Sequence, residues 1–184
     1  MGCSSSKQTT VTNDVNKPQP LQNQDQTNTK MAPTAQDLQT IRETWALVAP
    51  DLKKHGTVLF LRLFEQHPDV QRLFEKIKDV PHDQLATNEN FVFHTTRVME
   101  TIDHAVKGID NLPALTVLLK QLGSSHAQYN VKKEYFKPVG DALLHTLEQG
   151  LGERFTPEIK TSWARLYGVI IDNMSEGLDA SPSQ

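Results

Sequence analysis

Between positions 38 and 174 the apolar residues return every three or four places, and nowhere do they alternate in steps of two over the length of a strand. A 3.6-residue repeat stacks side chains on one face of a helix, whereas a half-buried strand needs a period of two. The pattern therefore restricts the chain to an all-α fold. Thr34 with Asp37 three residues later has the form of a capping box, and Leu38, Ile41, Trp45 and Val48 form the stripe that follows. Val58, Leu59, Leu63 and Phe64 carry a second helix to His67-Pro68, and residues 69–74 hold a turn or two. Residues 77–87, with Pro81 and several polar groups, are expected to be a loop. A helix from near Asn88 carries Phe91, His94, Thr95, Val98, Ile102 and Ala105. Asn111-Leu112-Pro113 opens the next, whose stripe is Leu115, Leu118, Leu119, Leu122 and His126. Another begins close to Glu134, has Pro138 in its first turn and stops at Gly150-Leu151-Gly152. Thr156 caps the last helix and Pro157 takes its first position, with Trp163, Leu166, Tyr167, Ile170, Ile171 and Met174 on one side. About seven or eight helices are expected.

The organisation is one domain with tails. Residues 1–33 are dominated by Ser, Thr, Gln and Asn; they cannot bury enough apolar surface to offset their ordering entropy and are expected to be a disordered tail. The folded domain is expected over 34–178, with a second short disordered tail at 179–184. Net charge is −3, which suggests no nucleic-acid partner. No apolar run approaches the roughly 18 residues that cross a bilayer, and the N-terminus lacks the apolar core of a secretory signal. The single cysteine, Cys3, precludes an internal disulfide and a thiolate-ligated metal centre in the domain; it suits a reducing compartment.

Seven histidines are present. His55, His67, His82, His104 and His145 lie in polar or mixed contexts and read as surface or hydrogen-bonded side chains. His94 and His126 differ, because each sits on the apolar stripe of its own helix. Taken singly, each reads as a ring that donates to a backbone carbonyl in the core, since an unpartnered buried polar group costs roughly 1–3 kcal/mol. Taken together, two such faces can oppose one another across a flat cofactor, and imidazole is the usual ligand of haem iron. Spacing alone leaves a zinc site or a structural pair open, although no nearby Cys or acidic residue completes the four ligands zinc prefers.

The stretches HPDVQRLF, NFVFHTTRVM, LGSSHAQYNVKKEYF and FTPEIKTSWARLYGVI, in that order and over residues 34–178, resemble the globin family. HGTVLF, LGSSH and SWARLYG are most similar to neuroglobin-like members. With the N-terminus described below, the resemblance extends to globin X, the membrane-attached vertebrate globins. It implies a globin fold around haem b (iron protoporphyrin IX). His126 would be the proximal iron ligand. His94 would be the distal histidine, ligating the iron or acting as a proton donor in catalysis. Val98 would lie over the ligand site, Phe74 flat on the porphyrin, Arg97 within reach of a propionate, and Val131 and Phe136 along the proximal wall. Trp45 and Trp163 match core aromatics and Pro68 the turn into the third helix. Many globins have a second aromatic after the Phe74 position, where this chain has Ile77. Some neuroglobin-like proteins tune the distal histidine with a disulfide, which Cys3 alone cannot form internally.

Met1-Gly2-Cys3-Ser4-Ser5-Ser6 fits the myristoylation pattern, with Gly2 the acceptor. Cys3 beside it is placed for palmitoylation. One myristoyl chain binds a bilayer only with a constant on the order of 10⁴ M⁻¹, and Lys7, Lys17 and Lys30 are too sparse for a basic patch, so the second acyl chain must supply the anchoring. The expected place is the cytoplasmic face of the plasma membrane. The function expected is that of a six-coordinate haem globin in redox chemistry: electron transfer from a reductase, or reduction of nitrite to nitric oxide, besides binding oxygen. Reversible oxygen storage or supply is one alternative; a gas- or redox-sensing module is another.

Overall fold

The computed structural model describes residues 1–2 and 32–181. Among these residues there are seven α-helices and no strand: α1 (Ala35–Val48), α2 (Leu52–Gln66), α3 (Pro68–Gln71), α4 (Glu89–Lys107), α5 (Leu112–His126), α6 (Phe136–Leu151) and α7 (Pro157–Asp179). None of them is long and apolar enough to cross a membrane.

The helices begin where a side chain can satisfy the first free N–H groups. Asn88 accepts from the amides of Asn90 and Phe91 ahead of α4, Asn111 from that of Ala114 ahead of α5, and Thr156 from that of Ile159 ahead of α7. Pro68 takes the first position of α3, which ends α2 at Gln66. A 3-10 turn (Lys133–Tyr135) precedes α6, which leaves Pro138 within the first helical turn, where its missing N–H would have no partner. Gly152, at φ +56°, ends α6 in a conformation costly for any side chain.

Two expectations need correction. Residues 82–87 form a 3-10 helix (His82–Thr87) rather than a loop, because Leu85 is drawn completely into the core. The folded part also reaches past residue 178: α7 runs to Asp179, whose carboxylate meets the Lys133 ammonium, and the Ser181 hydroxyl lies 2.9 Å from that of Ser124.

The start of α1 is tied to α7 through one buried carboxylate. Asp37 accepts from the Thr34 backbone at 2.8 Å, from the Ser162 hydroxyl at 2.7 Å and from the Arg165 guanidinium at 2.9 Å. Burial alone would raise the Asp37 pKa, but the bonds from Thr34, Ser162 and Arg165 outweigh it and hold the carboxyl well below the usual range. A depressed folded pKa means that the stabilisation is complete above the unfolded value of about 3.9 and is lost as the pH falls below it. Asp37→Asn removes the charge and keeps the size. It is expected to cost about 2–4 kcal/mol at pH 7, since it leaves Arg165 facing a neutral partner and weakens the cap. The gap between variant and wild type in urea denaturation should narrow towards pH 3; a gap equally wide there would mean that the charge is not what stabilises.

The principal core lies between α1, α2, α4, α6 and α7. Trp45 and Trp163 meet at its centre, with ring centroids 5.7 Å apart, and each indole N–H is bonded, to the Asp103 carboxylate (2.9 Å) and the Thr44 hydroxyl (3.0 Å) respectively. A second, smaller cluster is built from Leu115 and Leu119 of α5, Met174 of α7 and Phe136 at the start of α6, with Ala105 reaching it from α4.

Candidate haem site

His126 is the last residue of α5, one turn after Leu122, and its Nδ1 lies 2.7 Å from the Leu122 carbonyl oxygen. A carbonyl only accepts, so Nδ1 carries the hydrogen and Nε2 is the nitrogen left to present elsewhere. This is how a metal-binding histidine is oriented: one nitrogen is fixed by a hydrogen bond and the other presented outward. The ring stands edge-on to Phe136, with centroids 6.3 Å apart and planes at 77°.

His94 faces it from the middle of α4. Its ring is half-buried and stands nearly perpendicular to Phe74 (4.9 Å, 70°) and Phe60 (5.3 Å, 89°). It makes no hydrogen bond to another group among the described residues. Burial disfavours its protonated form, and repulsion from His126 and Arg97 adds to this, so its pKa is pushed down to about 4. At neutral pH the ring is therefore neutral. It has a lone pair to give to a metal.

The helices bearing the two rings are set by different neighbours. α4 packs on α2, where the Gly56 backbone lies so close to the Thr95 carbonyl that a Cβ would come within 2.7 Å of its oxygen. α5 packs on α7 and scarcely meets α4. The apolar side chains divide accordingly. Phe74 and Val98 belong to the principal core on the His94 side, and Val131 and Phe136 to the smaller cluster on the His126 side; Ile170 touches both. Each apolar cluster thus holds one imidazole against its rings, His94 against Phe60 and Phe74 and His126 against Phe136.

The globin family model matches residues 57–174. The chain is 35% identical to neuroglobin of Dissostichus mawsoni over 142 residues, 77% of this chain and 89% of that protein. The chain belongs to the globin family. Neuroglobin-1 of Oncorhynchus mykiss is 34% identical over 146 residues, covering 78% of this globin and 91% of that chain. Among solved structures, a hexacoordinated haem protein from an anhydrobiotic tardigrade superposes with a TM-score of 0.76 at 26% identity, over 79% of this chain and 95% of the other. The haemoglobin of the botfly Gasterophilus intestinalis, at 19% identity and a TM-score of 0.73 over 79% and 99%, shares the fold.

Haem is the cofactor of this family, and it binds oxygen as a small ligand. The residues present fit the group. Two imidazoles, each with a ring nitrogen that makes no hydrogen bond among the described residues, suit its iron, and the apolar side chains beside them suit a flat apolar ring. A zinc site lacks support: no group of three or more His, Cys, Asp or Glu side chains among the described residues could hold a metal.

The remaining sequence-picked residues fall as follows. Arg97 is exposed and its guanidinium lies over the Phe93 ring, 5.6 Å from the centroid, one turn along the outer face of α4. Gly2 is exposed and nothing crowds it. Cys3 lies outside the described residues. Of the five histidines read as surface or hydrogen-bonded, His82 and His104 are exposed and lie near the carbonyls of Leu61 and Glu100. His67 and His145 border a small cleft of about 180 Å³ between α2 and α6, whose lining includes neither His94 nor His126. His55 departs from expectation. It is buried beside Gly150, and burial lowers its pKa. Phe60 was not singled out by the sequence, yet it holds Phe74, Phe64, Phe91 and His94 in edge contacts. The LF pair of HGTVLF was the available signal.

Proposed function

We propose that this globin holds its haem iron between His126 and His94, stands on the cytoplasmic face of the plasma membrane through a myristoyl chain on Gly2 and a palmitoyl chain on Cys3, and serves redox chemistry. The observation that carries the reading is the pair of imidazoles: one with Nδ1 fixed by a carbonyl and Nε2 left over, the other neutral, with no hydrogen bond among the described residues, and close enough to feel the first electrostatically. The hexacoordinated tardigrade protein, similar over most of this chain, supports the same ligation.

When bound, haem supplies a one-electron couple and a site for a small ligand. His94 decides which is used. Held to the iron, His94 would complete the ligand set and favour electron exchange with a reductase; away from it, the residue would leave room for oxygen, nitric oxide or nitrite and could donate its remaining N–H to what enters. Reducing one nitrite to nitric oxide and water consumes one electron and two protons. Phe74, Phe60 and Val98 exclude bulk water, which protects a reduced site from oxidation. Arg97 would leave Phe93 to reach a propionate, a charge-assisted contact that favours that move.

The test is an optical spectrum of the purified protein, oxidised and then reduced without oxygen, for wild type and His94→Leu. Sharp, split visible bands in the reduced wild type, replaced by one broad band in the variant, are expected. Carbon monoxide affinity should rise by the inverse of the open fraction, about a hundredfold if His94 leaves the site open about 1% of the time. A single broad band already present in reduced wild type would overturn the bis-histidyl reading and favour plain oxygen binding.

A further inference from the structure

α5 and α7 approach until backbone meets backbone, and they do so through two glycines placed reciprocally. A Cβ at Gly123 would lie 2.0 Å from the Met174 carbonyl oxygen, and a Cβ at Gly177 would lie 2.0 Å from that of Lys120. Met174 is three residues before Gly177, and Lys120 three before Gly123. Each glycine therefore receives the turn preceding the other. The obstacle is main chain in both directions, so no rotamer change can make room for a methyl group. At such distances Cα–H groups also sit against carbonyl oxygens, a weakly favourable contact at helix crossings.

His126 lies three residues after Gly123 on the same helix, and its Nδ1 is held by the Leu122 carbonyl. Its ring is thus fixed to the helix, and the helix is fixed to α7. We infer that Gly123 and Gly177 are positioning residues for the proximal ligand: they set how far α5 stands off α7, and so where His126 Nε2 is presented. This rests on His126 being the iron ligand. It also assigns the two helices different parts. α5 is clamped, so the rearrangement that frees the distal side falls to α4 and His94.

Gly177→Ala changes a residue remote from both imidazoles. In a His94→Leu background, where the proximal bond alone holds the iron, it is expected to accelerate haem loss to an acceptor globin roughly tenfold or more, the scale seen when a ligand's support is removed. The iron–histidine stretching band in the Raman spectrum of the ferrous protein should shift. Gly150→Ala, whose Cβ would meet side chains and no main chain, the His55 ring at 2.9 Å and a Val48 methyl at 3.3 Å, is the control for packing loss in general and should leave that band in place. A folded Gly177→Ala protein with unchanged haem loss and an unchanged band would overturn the inference. If Gly177→Ala does not fold, Gly123→Ala tests the other half of the contact. The wild-type holoprotein gives a third reading: amides 123–126 should exchange as slowly as 174–178, and faster exchange in α5 than in α7 would overturn the clamp. His126→Ala in the same background separates the two ideas. Persistence of the iron–histidine band there would refute the ligand assignment, and with it this inference, whatever the glycines do.

Discussion

Replacing His126 with glycine is expected to abolish stable haem binding, and added imidazole is expected to restore it. The argument starts from the ring's position. Nδ1 is committed to the Leu122 carbonyl, so the side chain has one conformation and one nitrogen to offer. The smaller apolar cluster, with Phe136 edge-on to the ring, keeps water from that face. Removing the ring deletes an iron ligand outright, a larger loss than the roughly 10–100-fold cost of removing an outer partner of a ligand. Haem that binds the folded state alone also stabilises it, by about 4 kcal/mol at a thousandfold excess over its dissociation constant. The variant should therefore melt like the apoprotein and elute without the Soret band. Imidazole fits the space left by the ring, and its rescue would show that the fold survived and that the missing group was the ligand. A variant that keeps haem and normal reduced bands without imidazole would refute the assignment.

Features carried by single residues were legible in the sequence. Thr34, Asn88, Asn111 and Thr156 could be read as helix starts because a cap needs only a short polar side chain beside the first free amides. His94 and His126 stood out because a polar ring on an apolar stripe is a local contradiction. What escaped depends on which surfaces meet. Leu85 organises residues 82–87 only because a hydrophobic hollow receives it, and Pro81 with its polar neighbours gave no sign of that. Phe60 sits one place beyond the assigned stripe, and its role comes from rings on α4 and on the turn after α3. His55 looks polar in sequence, between Lys54 and Gly56, yet it is buried beside Gly150 of α6. Gly123 was legible as part of LGSSH, but its necessity lies in the Met174 carbonyl, 51 residues away in sequence.

The second large effect concerns the N-terminus. Gly2→Ala in the full chain is expected to move the protein from the membrane fraction to the soluble fraction of cells. Myristoylation requires glycine at this position, so the substitution blocks the first acyl chain at its attachment point. The first chain is needed for the second, because transient insertion brings Cys3 to membrane-bound acylating enzymes. Each buried CH₂ contributes about 0.8 kcal/mol, so two chains anchor stably where one binds reversibly, and none does not bind at all. Cys3→Ser should thus give an intermediate, a protein that partitions weakly and washes off, and this graded order separates acyl anchoring from attachment through a protein partner. None of the described helices is long and apolar enough to cross a membrane. The soluble Gly2→Ala protein should keep the wild-type optical spectrum, because Thr34 caps the domain independently of what precedes it. Undiminished membrane retention of Gly2→Ala would refute the anchor and with it the proposed location, and would leave the ligation of haem by His126 and His94 untouched.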